Sequence, residues 1–198
     1  MKRILLLALL AIGIQAAAQF PVLNIGAQLP EAGLTLKDTN GKTTTLNDQK
    51  RENGLLVIFS CNTCPFVVAW EDRYPVVNEL SKNSKVGFVL VNSNENKRND
   101  DDSVDAMKAH AAKHKYAMPY LIDVDSKLAN AFGAQTTPHV FLFDKNGKLV
   151  YKGAIDDNYK NASEVKEFYL KDALADLAAG KEIKTKETRN LGCSIKRK

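Results

Sequence analysis

The chain has 198 residues, 44% of them hydrophobic and 26% charged, and it carries a net charge of +5. This length and composition are typical of one globular domain with its own core, and three cysteines are too few for a disulfide scaffold. Much of the positive charge lies in residues 181–198, where seven Lys and Arg accompany two Glu. We therefore expect a solvated basic tail after a slightly acidic domain, and we do not expect nucleic acid as a partner.

Residues 1–18 have the pattern of a secretory signal peptide. Lys2 and Arg3 precede an apolar run over residues 4–14, and small residues follow ahead of Gln19. The run is about eleven residues long, which is short for a transmembrane helix, although an uncleaved anchor is the alternative. The pattern predicts export to a bacterial periplasm or secretion.

Residues 19–180 are predicted to form the domain, which opens with a β-hairpin over residues 34–43. An Asn-Gly pair supplies the positive φ angles of its tight turn. Residues 55–59 and 86–91 are continuous apolar runs, typical of strands buried on both faces. These two runs predict central parallel strands.

Two cysteines three residues apart, Cys61 and Cys64, follow the first of these strands. A thiol reacts as its thiolate, and a helix N-terminus favours a sulfur anion through its unpaired N–H groups and its dipole. Proline is tolerated in the first turn of a helix, so Pro65 supports this placement. We expect Cys61 at or near the N-cap of a helix that continues to about Leu80, with a kink at Pro75. Cys64 then lies on the same turn, placed to attack a mixed disulfide on Cys61.

Half of a zinc site is the alternative interpretation of two cysteines at this spacing. Zinc would need two more ligands, and the sequence has no second Cys-x-x-Cys unit and no finger-like His pair. His110 and His114 are four residues apart, but they lie among Ala and Lys with no acid nearby, so we expect a solvated helix face. We expect neither a metal nor a cofactor.

The polar stretch from Asn92 to Asp102 follows the second buried strand. Loops at the carboxyl ends of parallel strands border ligand crevices, so this stretch is a candidate rim of the active site. One helix is predicted from Asp102 or Ser103 to about residue 115, and another over residues 126–132.

Thr137-Pro138 leads into a second predicted hairpin, over residues 140–149, again with Asn-Gly at its turn. Taken alone, these two residues predict a rigid entry to a strand. A last helix is expected over residues 163–179, with Phe168 among its buried side chains and a stop at Gly180. Strands that alternate with helices in this way predict an α/β sandwich.

Together these features resemble the thioredoxin-like superfamily. The chain is most similar to exported redoxins of the alkyl hydroperoxide reductase/thiol-specific antioxidant (AhpC/TSA) and TlpA-like groups. The matching segments are the opening from Ile25-Gly26 to Leu36, the turn at residues 38–41, Phe59-Ser60-Cys61-Asn62-Thr63-Cys64-Pro65-Phe66, Thr137-Pro138 and Gly192-Cys193-Ser194-Ile195-Lys196. The resemblance implies a three-layer sandwich, with a central mixed sheet flanked by helices and an N-terminal β-hairpin extension.

The resemblance also implies roles for the site residues. Cys61 is then the nucleophile and Cys64 resolves, while a cis Pro138 shapes the cleft and the backbone of Thr137 pairs with an extended substrate segment. The implied function is thiol–disulfide exchange with protein thiols or disulfides, or with a small thiol or peroxide. The electron donor or acceptor is not identified, and a membrane thiol–disulfide transporter is one candidate.

Two departures from thioredoxin bear on this interpretation. Leu55 stands where thioredoxins have a buried acid that moves protons, and the residues between the cysteines differ. Glu71 is a candidate substitute for that acid, although a solvent-facing glutamate is the default expectation.

Two other functions remain open. In peroxiredoxins the reactive cysteine precedes a proline, as Cys64 does, but Cys61 replaces the hydroxyl residue that helps to orient the peroxide. A peroxidase is therefore the first alternative. The second is a binding module that keeps the fold and makes its contacts through the stretch from Asn92 to Asp102 and through the tail.

Cys193, in the tail, is a possible accessory thiol with three interpretations: a resolving thiol that reaches the cleft, an intermolecular link, or an idle thiol. If it engages Cys61, mild oxidation is expected to produce a disulfide between Cys61 and Cys193.

Overall fold

The computed structural model describes residues 20–198, so the signal peptide predicted at residues 1–18 lies outside the described residues. The strands, in chain order, are β1 (Leu36–Asp38), β2 (Thr43–Thr44), β3 (Gly54–Ser60), β4 (Val86–Asn92), β5 (Tyr120–Ile122), β6 (Thr136–Thr137), β7 (His139–Asp144), β8 (Leu149–Gly153) and β9 (Cys193–Ser194). The α-helices are α1 (Leu46–Gln49), α2 (Pro65–Trp70), α3 (Tyr74–Asn83), α4 (Val104–Lys113), α5 (Lys127–Phe132) and α6 (Tyr169–Ala178).

Seven of these strands form one mixed sheet in the order β2-β1-β5-β4-β3-β7-β8. β3 and β4 are parallel neighbours at its centre, as predicted, and every residue of both strands is buried. Both predicted hairpins are confirmed, because β1 pairs antiparallel with β2 and β7 with β8. Gly41 and Gly147 take positive φ angles of 79° and 75° at the two turns.

Helices cover both faces of the sheet because side chains alternate along β3. Leu56 and Ile58 point to one face, where they pack with residues of α3, α4 and α6. Leu55, Val57 and Phe59 point to the other face and pack with residues of α1 and α5. The result is the predicted three-layer α/β sandwich, extended at one edge by the N-terminal hairpin.

The long helix predicted after the cysteines is in fact two helices. α2 ends at Trp70, a 3-10 turn spans Glu71–Arg73, and α3 begins at Tyr74. Pro75 lies in the first turn of α3, where its missing N–H has no partner to lose. Pro75 therefore helps to begin a second helix and does not kink one continuous helix.

The last helix is shorter than predicted. α6 begins at Tyr169, and residues 162–164 form a separate 3-10 turn. The carboxylate of Asp157 accepts a hydrogen bond from the N–H of Lys166 at 3.0 Å, which holds the intervening chain in a loop. Phe168 precedes the helix and is 42% exposed, so its predicted burial is wrong.

The segment after α6 packs against the domain. Ile183 and Ile195 are both buried, one on each side of the sheet, and β9 pairs antiparallel with β6. The expectation of a solvated tail is wrong for these residues, because burying the two apolar side chains stabilises the docked segment. Among residues 20–198, no helix is both long enough and apolar enough to cross a membrane.

Candidate active site

The cysteine pair lies in the loop that joins β3 to α2. Pro65 is the first residue of α2, and Cys64 is its N-cap. The predicted position at the start of a helix is therefore correct, but the N-cap is Cys64 and not Cys61. Proline is favoured at the first helical position because the N–H that it lacks would have no helical partner there. With Pro65 at that position, Cys64 becomes the N-cap.

Thr137 lies against both sulfur atoms, although it is more than 70 residues away in the sequence. Its hydroxyl oxygen is 3.2 Å from Cys61 Sγ, and its carbonyl oxygen is 3.1 Å from Cys64 Sγ. The Thr137–Pro138 peptide bond is cis, as the resemblance implies. Cys61 is 2% exposed and Cys64 is 5% exposed, so both sulfur atoms are almost completely shielded from solvent.

The pair holds a negative charge more readily on Cys64 than on Cys61. The hydrogen bond that the Cys61 thiol donates lowers the pKa of Cys64 to about 4, even though burial acts in the opposite direction. The backbone N–H of Val67, in the first turn of α2, also lowers this pKa. The thiol–thiol hydrogen bond and burial together raise the pKa of Cys61 far above its ordinary value. Of the two cysteines, Cys64 therefore has the lower pKa.

Cys193 reaches the pair as well, and it contacts Cys64. β9 pairs with β6 in a register that places Cys193 opposite Thr137. Burial and the hydrogen bond to Cys64 raise the pKa of Cys193 to about 11. The predicted reach of this residue into the cleft is thus seen, and the thiol with which it forms a hydrogen bond is Cys64.

Asp102 is a buried carboxylate beside the pair. One of its oxygens accepts hydrogen bonds from the backbone N–H of Asn62 at 3.0 Å and from the side chain of Asn92 at 2.7 Å. The other accepts from the side chain of Asn94 at 2.9 Å. The structure therefore places the predicted rim, from Asn92 to Asp102, directly beside the cysteine loop.

The sequence pattern marked Asp102 as a helix cap or a rim residue and missed this contact with the cysteine loop. The actual N-cap of α4 is Ser103, whose hydroxyl accepts from the N–H of Ala106. One sequence signal could have indicated the contact: Asp102 ends the loop that follows a central strand, and such loops border ligand crevices. Asn62, whose N–H donates to Asp102, is 40 residues away in the sequence, so local patterns do not reveal the contact.

Glu71, His110 and His114 form a second polar cluster, on the side of the domain that carries α4. The buried Glu71 carboxylate accepts hydrogen bonds from His110 and from the Tyr116 hydroxyl, and its Oε2 is 3.1 Å from His114 Nδ1. The expectations of a solvent-facing Glu71 and of two histidines without a nearby acid are both wrong. They fail because residues 39 positions apart in the sequence meet in the fold.

This second cluster has the chemistry of a metal site but is separate from the thiols. Its three ligand-type atoms lie within 4.8 Å of one another, close enough to share one ion. Burial acts to raise the pKa of Glu71, but the hydrogen bonds from His110 and Tyr116 outweigh burial and lower it. Within residues 20–198, no hydrogen bond of Glu71 reaches a cysteine, so the contacts of Glu71 do not support its role as the proton carrier.

Known proteins that are similar to this chain include thiol-disulfide oxidoreductases. The Redoxin family model matches residues 24–168. The thiol-disulfide oxidoreductase ResA of Geobacillus thermodenitrificans is 29% identical over 155 residues, which cover 74% of this chain and 80% of that protein.

Two solved structures are also similar over most of their length. One is a hypothetical protein from Sinorhizobium meliloti 1021, which is 30% identical and aligns over 90% of this chain and 97% of that one, with a TM-score of 0.81. The other is an uncharacterized conserved protein from Geobacillus kaustophilus, which is 33% identical and aligns over 91% of this chain and 94% of that one, also with a TM-score of 0.81. The chain therefore belongs to the Redoxin family, and it is an oxidoreductase with a thioredoxin-like fold, as its sequence predicts.

Proposed function

We propose that this protein exchanges thiols and disulfides through Cys61 and Cys64, within a redoxin domain over residues 19–180. The observation that carries the proposal is the contact between the two sulfur atoms at the start of α2, with the pKa of Cys64 lowered to about 4. Such a pair is suited to attack a substrate disulfide with one sulfur and to release the product with the other. The similarity to the thiol-disulfide oxidoreductase ResA supports the same reaction.

The lowered pKa favours Cys64 as the attacking sulfur, whereas the resemblance to thioredoxins favours Cys61. The exchange has two steps in either case. The thiolate attacks one sulfur of a substrate disulfide, and the other substrate sulfur leaves as a thiolate. The second cysteine of the pair then attacks the mixed disulfide and releases the remaining substrate thiol, which leaves Cys61 and Cys64 joined. No cofactor is needed for these steps, and protein disulfides are the proposed substrates.

Reduction of insulin disulfides in the presence of dithiothreitol tests this proposal. The wild-type protein is expected to accelerate the reaction, and Cys64→Ser and Cys61→Ser are each expected to lower the rate at least tenfold. Val68→Ser is the matched control, because Val68 lies in α2 and is exposed. Equal rates for the wild-type protein and both cysteine variants would contradict the proposal, and folding of each variant is checked by circular dichroism.

Peroxide reduction is a second candidate function, and one observation favours it. Cys64 is followed by Pro65 at a helix start and is the cysteine whose pKa is lowered. A thiolate in this position is the species that attacks a peroxide. Consumption of hydrogen peroxide with a thiol as electron donor tests it: loss of consumption in Cys64→Ser supports this function, and no consumption by the wild-type protein rejects it.

We further propose that the protein is exported to a bacterial periplasm or secreted. Support comes from the charged start, the apolar run and the small residues within residues 1–18. Mass spectrometry of the protein recovered from cell fractions tests the proposal. We expect an N-terminus near Gln19 in the periplasmic or extracellular fraction, and a full-length chain found in the cytoplasm would reject it.

A further inference from the structure

The C-terminal strand brings a third thiol to the reactive pair, from outside the segment that defines the family. The family match ends at residue 168, and Cys193 lies 25 residues beyond it. β9 nevertheless pairs with β6 and sets Cys193 opposite Thr137, the residue whose oxygen atoms contact both sulfurs of the pair. Cys64 therefore has two thiol neighbours, Cys61 and Cys193.

Cys193 is held at this position by contacts on both sides of it in the chain. The N–H of Ile195 donates to the carbonyl oxygen of Gln135 at 3.0 Å, and the Ile195 side chain is only 6% exposed. The N–H of Asn96, in the rim, donates to the carbonyl oxygen of Lys196 at 2.9 Å.

Gly192 provides the close approach on the other side of Cys193. A Cβ atom at this position would lie 2.4 Å from the carbonyl oxygen of Thr137. The strand can therefore pack this tightly against β6 only with glycine at residue 192. The thiol of Cys193 is thus fixed beside Cys64 by a docked strand and is not carried on a loose arm.

We propose that Cys193 is a redox-active thiol that forms an intramolecular disulfide with Cys64, so that Cys64 alternates between Cys61 and Cys193 as disulfide partners. This inference rests on the proposed function, because it concerns the same reactive sulfur. It differs from the pairing of Cys193 with Cys61 that the sequence alone suggests.

The exchange balances without any external oxidant or reductant. Starting from the disulfide between Cys61 and Cys64, the thiolate of Cys193 attacks Cys64 Sγ. The bond between Cys64 and Cys193 forms, and the bond between Cys61 and Cys64 breaks. Cys61 leaves as a thiolate and takes up the proton that Cys193 lost, so one disulfide and one thiol remain throughout.

The exchange moves the disulfide toward the surface. Cys61 is almost fully buried, whereas Cys193 is partly exposed. A reducing dithiol that cannot reach Cys61 is therefore able to attack Cys193 Sγ, which frees Cys64 as a thiolate. Electrons therefore enter at the partly exposed face of β9. The partner that supplies them is a protein thiol or a small dithiol.

Oxidation with oxidised glutathione of variants in which one of the three cysteines is replaced tests the proposal. Cys61→Ser retains Cys64 and Cys193 and is expected to form a monomeric disulfide between them, identified by peptide mapping after thiol blocking. Cys64→Ser retains Cys61 and Cys193 and is the control, with at least tenfold less intramolecular disulfide expected. Absence of the bond in Cys61→Ser, or equal bond formation in both variants, would overturn the proposal.

A second comparison tests whether the docked strand is required. Adding Gly192→Val to the Cys61→Ser protein is expected to slow formation of the disulfide at least tenfold, because the added side chain collides with Thr137. Gly33→Val is the matched control, since a Cβ atom at residue 33 would have no neighbour within 4 Å. An unchanged rate with Gly192→Val would overturn the role of β9.

These results are separable from those that bear on the proposed function. Wild-type protein that reduces insulin, together with Cys61→Ser that forms no bond to Cys193, rejects this inference alone. A disulfide between Cys64 and Cys193 in a wild-type protein that cannot reduce insulin supports the inference and rejects the proposed function.

Discussion

At the scale of single residues, the three thiols differ in pKa because Cys64 accepts hydrogen bonds from the other two. The pKa of Cys64 is lowered to about 4, and that of Cys193 is raised to about 11. At pH 7 we therefore expect one thiolate per reduced protein molecule, measured by its ultraviolet absorbance near 240 nm and lost in Cys64→Ser. Equal absorbance in the wild-type protein and this variant would contradict the assignment, and Cys193→Ser controls for a contribution from the partly exposed thiol.

Asp102 gives a second prediction at this scale, because three N–H donors converge on its buried carboxylate. In Asp102→Asn the new NH2 group points toward the side-chain NH2 of Asn94. Two hydrogen-bond donors then face each other, and the hydrogen bond is lost. We expect the free energy of unfolding in urea to fall by about 2–4 kcal/mol. Asp101→Asn is the matched control, since Asp101 is exposed, and it should change stability by less than about 0.5 kcal/mol. A loss as small in Asp102→Asn as in this control would reject the role of the network.

At the scale of elements, the C-terminal strand stabilises the fold as well as carrying a thiol. Ile195 follows β9 and packs into the core on one side of the sheet. We expect Ile195→Ala to lower the free energy of unfolding by about 2–4 kcal/mol, as for other buried isoleucines. Val76→Ala is a suitable control, because Val76 is 60% exposed, and a similar small loss in both variants would show that the strand is not docked in solution.

Elements that depend on nearby residues were predictable from the sequence, and those that depend on distant pairing were not. The two hairpins follow from Asn-Gly turns, and the central strands follow from apolar runs, so both predictions are confirmed. The sequence pattern places the start of α6 too early because the Asp157 carboxylate, nine residues from Lys166, binds the backbone and competes with helix formation. β9 was missed because a two-residue strand has no sequence pattern of its own and exists only by pairing with β6.

In the candidate site, too, features set by nearby residues were predictable and features set by distant contacts were not. The Cys61 and Cys64 pair and its position at a helix start were predictable from spacing and from Pro65, and Thr137 lies where the family resemblance places it. The partner of Cys193 and the role of Asp102 were not predictable. Both depend on contacts that join residues 40 or more positions apart in the chain.

At the scale of the whole molecule, one buried histidine makes stability depend on pH. His139 begins β7 next to Phe141, and burial, together with the charge of Lys152, lowers its pKa to about 3. Because the unfolded chain binds a proton at this histidine near pH 6.5 and the native state resists it, stability is fully present above that pH. It is lost progressively as the pH falls toward the native pKa of about 3.

Urea unfolding at two pH values checks this prediction. Between pH 7.5 and pH 5 we expect His139 alone to reduce the free energy of unfolding by about 2 kcal/mol. His139→Gln is expected to be less stable at neutral pH but to lose this part of the pH dependence. An identical difference between the two pH values in the variant and in the wild-type protein would reject the assignment.

The position of β9 in the sequence also determines the order in which the thiols become available during synthesis. Chains are made from the N-terminus, so Cys61 and Cys64 leave the ribosome 129 or more residues before Cys193. Until Cys193 is made, Cys61 is the only thiol beside Cys64 among residues 20–198, and β6 has no strand to pair with at Thr137. A chain made only as far as residue 192 therefore carries two thiols, and the third reaches Cys64 only when β9 pairs with β6.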